Sequence, residues 1–257
     1  MKLPRRLKHG EEATLIEHLE ELRSRIFVCL FALIAGSTIA FVVHGTLLGW
    51  LNRPLPSRID KPVTLSVAEP FMTSLKVSVA AGLALALPVI LWQLWNFLAP
   101  ALDRRSRRAI GGLTVIATGL LAVGMAFGYF VVLPAAVKFF TNYDTAHYAI
   151  QIRARDYYSF ALLVLGTTGI AFELPLFVLA LVRLGVVTTA RLRRSRRMGY
   201  FLVAVVAVLL PGVDPVTTTL TAIPLMVLYE LSIWIAVAVE HAWGPPLGQR
   251  AETSRES

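Results

Sequence analysis

Glu173 lies in the stretch "GTTGIAFELPLFVLALV" (Gly166–Val182), a carboxylate inside an apolar run with Pro175 two residues on. A charged side chain near a bilayer centre costs at least ~2.5 kcal/mol, so such groups face a protein interior or a wet cavity and mark function. The bland alternative is a neutral glutamic acid that hydrogen-bonds two helices together. Glu230 lies in a later apolar run, nearer its end, where snorkelling to the interface serves equally well. Together the two acids admit a proton or ion relay. A third group sits near the start of the chain. Glu17, Glu20 and Glu21 fall on one helical face, opposite an apolar stripe of Leu15, Leu19, Leu22 and Ile26. Arg23 and Arg25 flank that stripe, and Glu21 precedes Arg25 by four residues, the favourable order for an ion pair. Asp214 sits in "LPGVDPVTT", where ordinary aspartate turn chemistry explains it.

Enzyme chemistry finds no support. GxSxG, HExxH, GxGD and P-loop patterns are absent, and the five histidines are scattered without ligand spacing. Cys29 is the only cysteine, so no intramolecular disulfide is available. No cofactor and no metal are implied.

The elements that must hold these residues are membrane spans. The chain is 56% apolar and only 16% charged, against about a quarter charged in soluble domains. Apolar runs predict six helices over about 26–51, 77–102, 110–140, 157–182, 199–212 and 219–240, most long enough to cross ~30 Å of hydrocarbon. The expected fold is an all-α polytopic membrane protein with a single six-span domain over 14–240. A flexible basic segment (1–13) precedes it and a flexible tail (241–257) follows. The first run is too long for the apolar core of a secretory signal and is read as a retained span. Thr14 to Glu17 forms a capping box, which starts a short amphipathic helix along the interface. Spans five and six make a short hairpin. The fifth apolar segment, Gly199–Leu210, is only ~18 Å long as a helix.

Six spans put both termini on one side, and eighteen of the twenty-five Lys and Arg residues fall there. The positive-inside rule makes that side cytoplasmic. The net charge of +9 therefore reports topology, and the short basic clusters at span ends, including "RRSRR" at 104–108 and 193–197, give no nucleic-acid reading. Four prolines in "NRPLPSRIDKPVTLSVAEPF" exclude a continuous helix between spans one and two and predict an ordered extracytoplasmic cap. Gly124-x-x-x-Gly128 permits close helix contact but is weak as a motif in a Gly-rich chain. No internal repeat is visible, which argues against an inverted-repeat transporter.

The chain resembles the TatC family, the multispanning subunit of the twin-arginine protein translocase. The resemblance rests on "HLEELRSR", "EPFMTSLKVS", "LALPVILWQLWNFLAPAL", "GMAFGYFVVLP", "FELPL" and "LPGVDPVTTTLTAIPL", in order from about residue 14 to 240. It implies a cup-shaped six-helix protein of the bacterial cytoplasmic membrane. Such a protein works with single-span TatA- and TatB-type partners in a hetero-oligomer, among membrane lipid. It recognises export signals bearing two adjacent arginines and helps move folded proteins, driven by the proton-motive force. Glu21, Arg23, Phe97, Glu173 and Asp214 match family positions. Ser106 stands where the family usually carries a second signal-binding glutamate, and Asp103, three residues earlier, is expected to supply that carboxylate if the loop is helical. Thr218 stands where many members have glutamine, so that role is not transferred; Thr218 and Glu230 remain candidates for partner contact. The alternative function is a proton- or ion-coupled small-molecule transporter using Glu173 and Glu230.

Overall fold

The computed structural model describes residues 15–59, 61–98, 110–147, 150–209 and 215–243. Asp103, Ser106 and Asp214 lie outside the described residues. Ten α-helices are described: α1 (Leu15–Val42), α2 (His44–Asn52), α3 (Glu69–Leu98), α4 (Ile110–Phe127), α5 (Leu133–Asn142), α6 (Ala154–Phe172), α7 (Leu174–Arg183), α8 (Thr189–Arg194), α9 (Arg196–Leu209) and α10 (Pro215–Trp243). A π-helical turn, Gly128–Val132, joins α4 to α5. Among the described residues there is no strand, only an isolated bridge between Val63 and Arg153.

Five stretches are long and apolar enough to cross a membrane: Leu19–Val42, Glu69–Phe97, Gly111–Asn142, Ala154–Arg183 and Pro215–Ala242. Helix α9, with 14 residues, reaches only ~21 Å at 1.5 Å per residue, so the fifth span is short, as its sequence indicates. Helices α3 and α10 continue through Pro88 and Pro224, a tolerance typical of membrane helices.

Boundaries differ from the apolar runs in instructive ways. The amphipathic segment at 15–25 continues without a break into the first span. That span ends at Val43 (φ −104°, ψ 16°), and α2 starts a new direction, although the sequence stays apolar to Leu51. His44 Nδ1, 2.7 Å from the Phe41 carbonyl oxygen, occupies the end of α1 at this break. Helix α3, the second span, begins at Glu69, eight residues before the apolar run, with Pro70 in its first turn, where a missing N–H costs nothing.

Glycines set how closely the helices approach. A Cβ on Gly36 of α1 would lie 2.7 Å from the Gly82 carbonyl oxygen of α3. A Cβ on Gly124 would lie 2.7 Å from the Thr168 carbonyl oxygen and 2.9 Å from the Gly169 Cα. The Gly124-x-x-x-Gly128 spacing therefore does mark a crossing, that of α4 with α6. Three apolar clusters fill the interior. Val77, Val132, Leu133, Tyr157 and Val164 build the first, Trp95, Leu113, Ala117, Leu176 and Leu179 the second, and Val203, Ala207, Leu225, Tyr229 and Ile233 the third.

The proline-rich loop between α2 and α3 is fastened to the chain preceding α6. Val63 N donates to Ile152 O and Ala154 N to Val63 O, each at 2.8 Å. The buried Glu69 carboxylate accepts from Arg153 Nη2 at 3.0 Å, Arg153 Nε at 3.1 Å, Arg155 N at 3.1 Å and Leu65 N at 3.1 Å. That carboxylate pushes the Arg153 guanidinium above its already high range. The Tyr158 hydroxyl donates to Asn52 Oδ1 at 2.8 Å, and Arg58 to the Thr141 carbonyl oxygen. The expected cap is ordered, and these bonds order it.

Candidate functional site

Helix α1 starts, and α3 ends, at the same end of the bundle, and their packing brings an acid, an arginine and an amide together. Glu21 and Arg25 face one another across one turn of α1, as their spacing predicts. Arg25 Nε donates to Glu21 Oε1 at 3.2 Å, and Nη2 donates to the same oxygen. The third guanidinium nitrogen, Nη1, donates to Gln93 Oε1 at 3.1 Å and to the Gln93 carbonyl oxygen at 3.4 Å on α3. The two charged side chains are 29% and 21% exposed, half-sheltered between the helices. Guanidinium and carboxylate suit each other through paired, directional bonds. This end of the bundle therefore already holds a guanidinium on Glu21.

Arg23 points outward, its guanidinium 5.7 Å from the centre of the Phe27 ring. Phe97 is half-buried one turn beyond Gln93, on the same face of α3. Trp95 is buried against α4 and α7 and anchors this end of α3. Gln93 carries no motif, so the sequence does not single it out. Its only signal is a polar side chain between Trp92 and Trp95 in the aromatic belt.

Glu173 occupies the break between α6 and α7. It keeps near-helical angles (φ −74°, ψ −6°), and Leu176 N and Phe177 N donate to its carbonyl oxygen at 3.0 Å each. Pro175, in the first turn of α7, has no N–H to continue the ladder of α6, so the helix divides here. Phe172, just before the break, tilts against Phe127 with ring centroids 5.5 Å apart. The Oε1 atom of Glu173 is buried and has no hydrogen-bond partner among the described residues. This oxygen makes no helix-to-helix bond among the described residues, while the carboxyl group itself also meets the backbone of Leu121 on α4.

Glu230 is differently placed. It accepts from the Tyr200 hydroxyl and lies 3.6 Å from Arg196 Nη2, tying α9 to α10. The Thr189 hydroxyl donates to Glu240 and ties α8 to the end of α10. The Thr218 carbonyl oxygen accepts from Thr221 Oγ1 at 3.1 Å, and its side chain is half-buried. Glu230 is held by a cation and a phenol, an arrangement suited to fastening helices. Among the described residues no group of three or more His, Cys, Asp or Glu could hold a metal ion.

The family model of the Sec-independent protein translocase protein (TatC) matches residues 17–224. The chain belongs to the TatC family. TatC of Carboxydothermus hydrogenoformans is 37% identical over 224 residues, covering 87% of this chain and 92% of that protein. TatCd of Bacillus subtilis is 35% identical over 233 residues, covering 89% and 93%. A crystal structure of the twin-arginine translocase receptor TatC superposes with a TM-score of 0.73 at 34% identity, covering 86% of this chain and 98% of that one. TatC proteins are multi-pass membrane subunits of a protein translocase and not enzymes, so the small-molecule transporter reading is set aside.

Proposed function

We propose that this TatC-family chain is the signal-recognising subunit of the twin-arginine translocase, with Glu21 as the receptor carboxylate. It lies in the bacterial cytoplasmic membrane with both termini inside. There it binds export signals carrying an arginine pair and helps move folded proteins outward at the expense of the proton-motive force. The observation that carries this reading is the half-sheltered Glu21 already engaging a guanidinium through two nitrogens. A signal's arginine presents the same fork to the same oxygen.

Further residues extend the site. Arg23 and Phe97 border it, and Asp103, three residues before Ser106, supplies the second carboxylate for the second arginine. The apolar segment of the signal then runs along the bundle toward Glu173, whose unpartnered oxygen is a hydrogen-bonding point for an incoming helix. TatA- and TatB-type single-span subunits pack against this membrane face, with Glu230 and Thr218 as contact candidates and Asp214 in the outer loop. The topology is supported by the basic end of the bundle, which carries Arg23, Arg25, Arg191, Arg193, Arg194, Arg196 and Arg197.

Site-specific crosslinking of a twin-arginine signal peptide to this chain in native membranes tests the reading. Glu21→Lys abolishes the adduct if Glu21 is the dock, because a buried-edge carboxylate becomes a repelling cation. An undiminished adduct would overturn it.

A further inference from the structure

We infer that Arg25 is an internal competitor for the receptor carboxylate, and that Gln93 is the seat that keeps it when an incoming arginine takes Glu21. The inference rests on the reading of Glu21 as the signal dock and goes on to say how that dock selects its ligand.

The geometry has two halves. Nε and Nη2 of Arg25 face Glu21, while Nη1 faces the side-chain and backbone oxygens of Gln93. The dock is therefore occupied by a guanidinium of the chain's own. A guanidinium arriving from outside must displace it, and the displaced cation sits in a half-sheltered place where an unpaired charge is costly. Gln93 removes most of that cost. Its two oxygens lie 3.1 and 3.4 Å from Nη1 and need no rearrangement of α3 to go on accepting. Docking is then an exchange of one guanidinium for another on Glu21.

Exchange also explains selection of arginine over lysine. Specificity is a difference of affinities, and a competitor raises the threshold that every ligand must pass. An ammonium presents a point charge without the planar fork, so it does not match what it must displace. With Arg25 in place, a lysine signal is rejected by Arg25 as much as by Glu21.

The test titrates fluorescent signal peptides, with an Arg-Arg or a Lys-Lys pair, onto the full chain assembled with its partner subunits in nanodiscs. Arg25→Lys keeps the charge and removes the fork. It should tighten binding of the arginine peptide about two- to fivefold, and that of the lysine peptide more, narrowing the ratio between them. Gln93→Leu removes a seat and should weaken the arginine peptide by about the same factor. A gain in affinity is not mimicked by misfolding, so the Arg25→Lys arm stands whatever the second variant does. Unchanged or weaker binding in Arg25→Lys, or an unchanged arginine-to-lysine ratio, overturns the exchange. Glu21→Gln is the separate arm. Loss of both peptides there supports the dock itself, whereas retained binding sinks the dock, whatever Arg25 does.

Discussion

At the residue scale, each acidic side chain is defined by what answers it. Glu21 is answered by a guanidinium, Glu230 by a guanidinium and a phenol, and Glu69 by four donors. Glu173 has one buried oxygen with no hydrogen-bond partner among the described residues. Leaving a buried polar atom unsatisfied costs about 1–3 kcal/mol, while an apolar group of the same shape can be neutral or stabilising. Glu173→Leu is therefore expected to leave the thermal unfolding temperature in detergent unchanged or higher, while export of a twin-arginine cargo is lost. A clear fall in unfolding temperature would show that the side chain serves packing instead. Tyr200→Phe should act oppositely. It removes the phenol from Glu230 and lowers stability by about 1 kcal/mol, measured as a shift in the same melt, with export largely kept. The sequence made Glu21, Arg25 and Glu173 visible because charge at helical spacing, or charge inside an apolar run, is conspicuous. Gln93 escaped because one neutral amide between tryptophans has no pattern, and its role exists only through α1 packing on α3.

At the scale of elements, the runs of apolar residues identified the helices but misplaced several ends. A helix that crosses a bilayer is free to extend past it, as α3 does back to Glu69, and hydropathy is blind to that polar extension. Nor does hydropathy register the break at Val43, because the residues on both sides are apolar and only the direction changes. Glycine spacing proved more informative than its frequency suggests, because a missing Cβ leaves a specific space. Gly124→Ala places a methyl group 2.7 Å from the Thr168 carbonyl oxygen, so α4 and α6 must part. Overpacking of this kind costs about 1–3 kcal/mol, and the variant is expected to melt lower and to show increased protease cleavage. Melting identical to the parent would mean that the two helices slide freely. The loop fastened by Glu69 gives the matching experiment at the opposite end. Glu69→Ala removes the acceptor of four donors, and cleavage by added protease is expected to concentrate between residues 53 and 68 while the helices persist. Uniform cleavage, or none, would contradict the fastening role.

At the scale of the whole molecule, two of the polar places on the bundle matter for the proposed function: a guanidinium-holding end formed by α1 and α3, and a half-buried acid at the break between α6 and α7. They belong to a membrane chain whose one short span, α9, does not reach across ~30 Å of hydrocarbon. Local thinning of the bilayer is one way in which such a span is accommodated. The alternation of basic and apolar segments made this architecture legible from the sequence. The pairing of Arg25 with Gln93 became visible only once the helices were placed. The central claim, that the basic end receives a signal's arginine pair, is tested most directly by a photoreactive residue beside that pair in a full-length cargo. After illumination in native membranes, the adduct on this chain is mapped by mass spectrometry. The account predicts adducts on the first turns of α1 around Glu21 and on α3 around Gln93 and Phe97, absent in Glu21→Lys. Adducts confined to the surroundings of Glu173, or unaffected by Glu21→Lys, would contradict it.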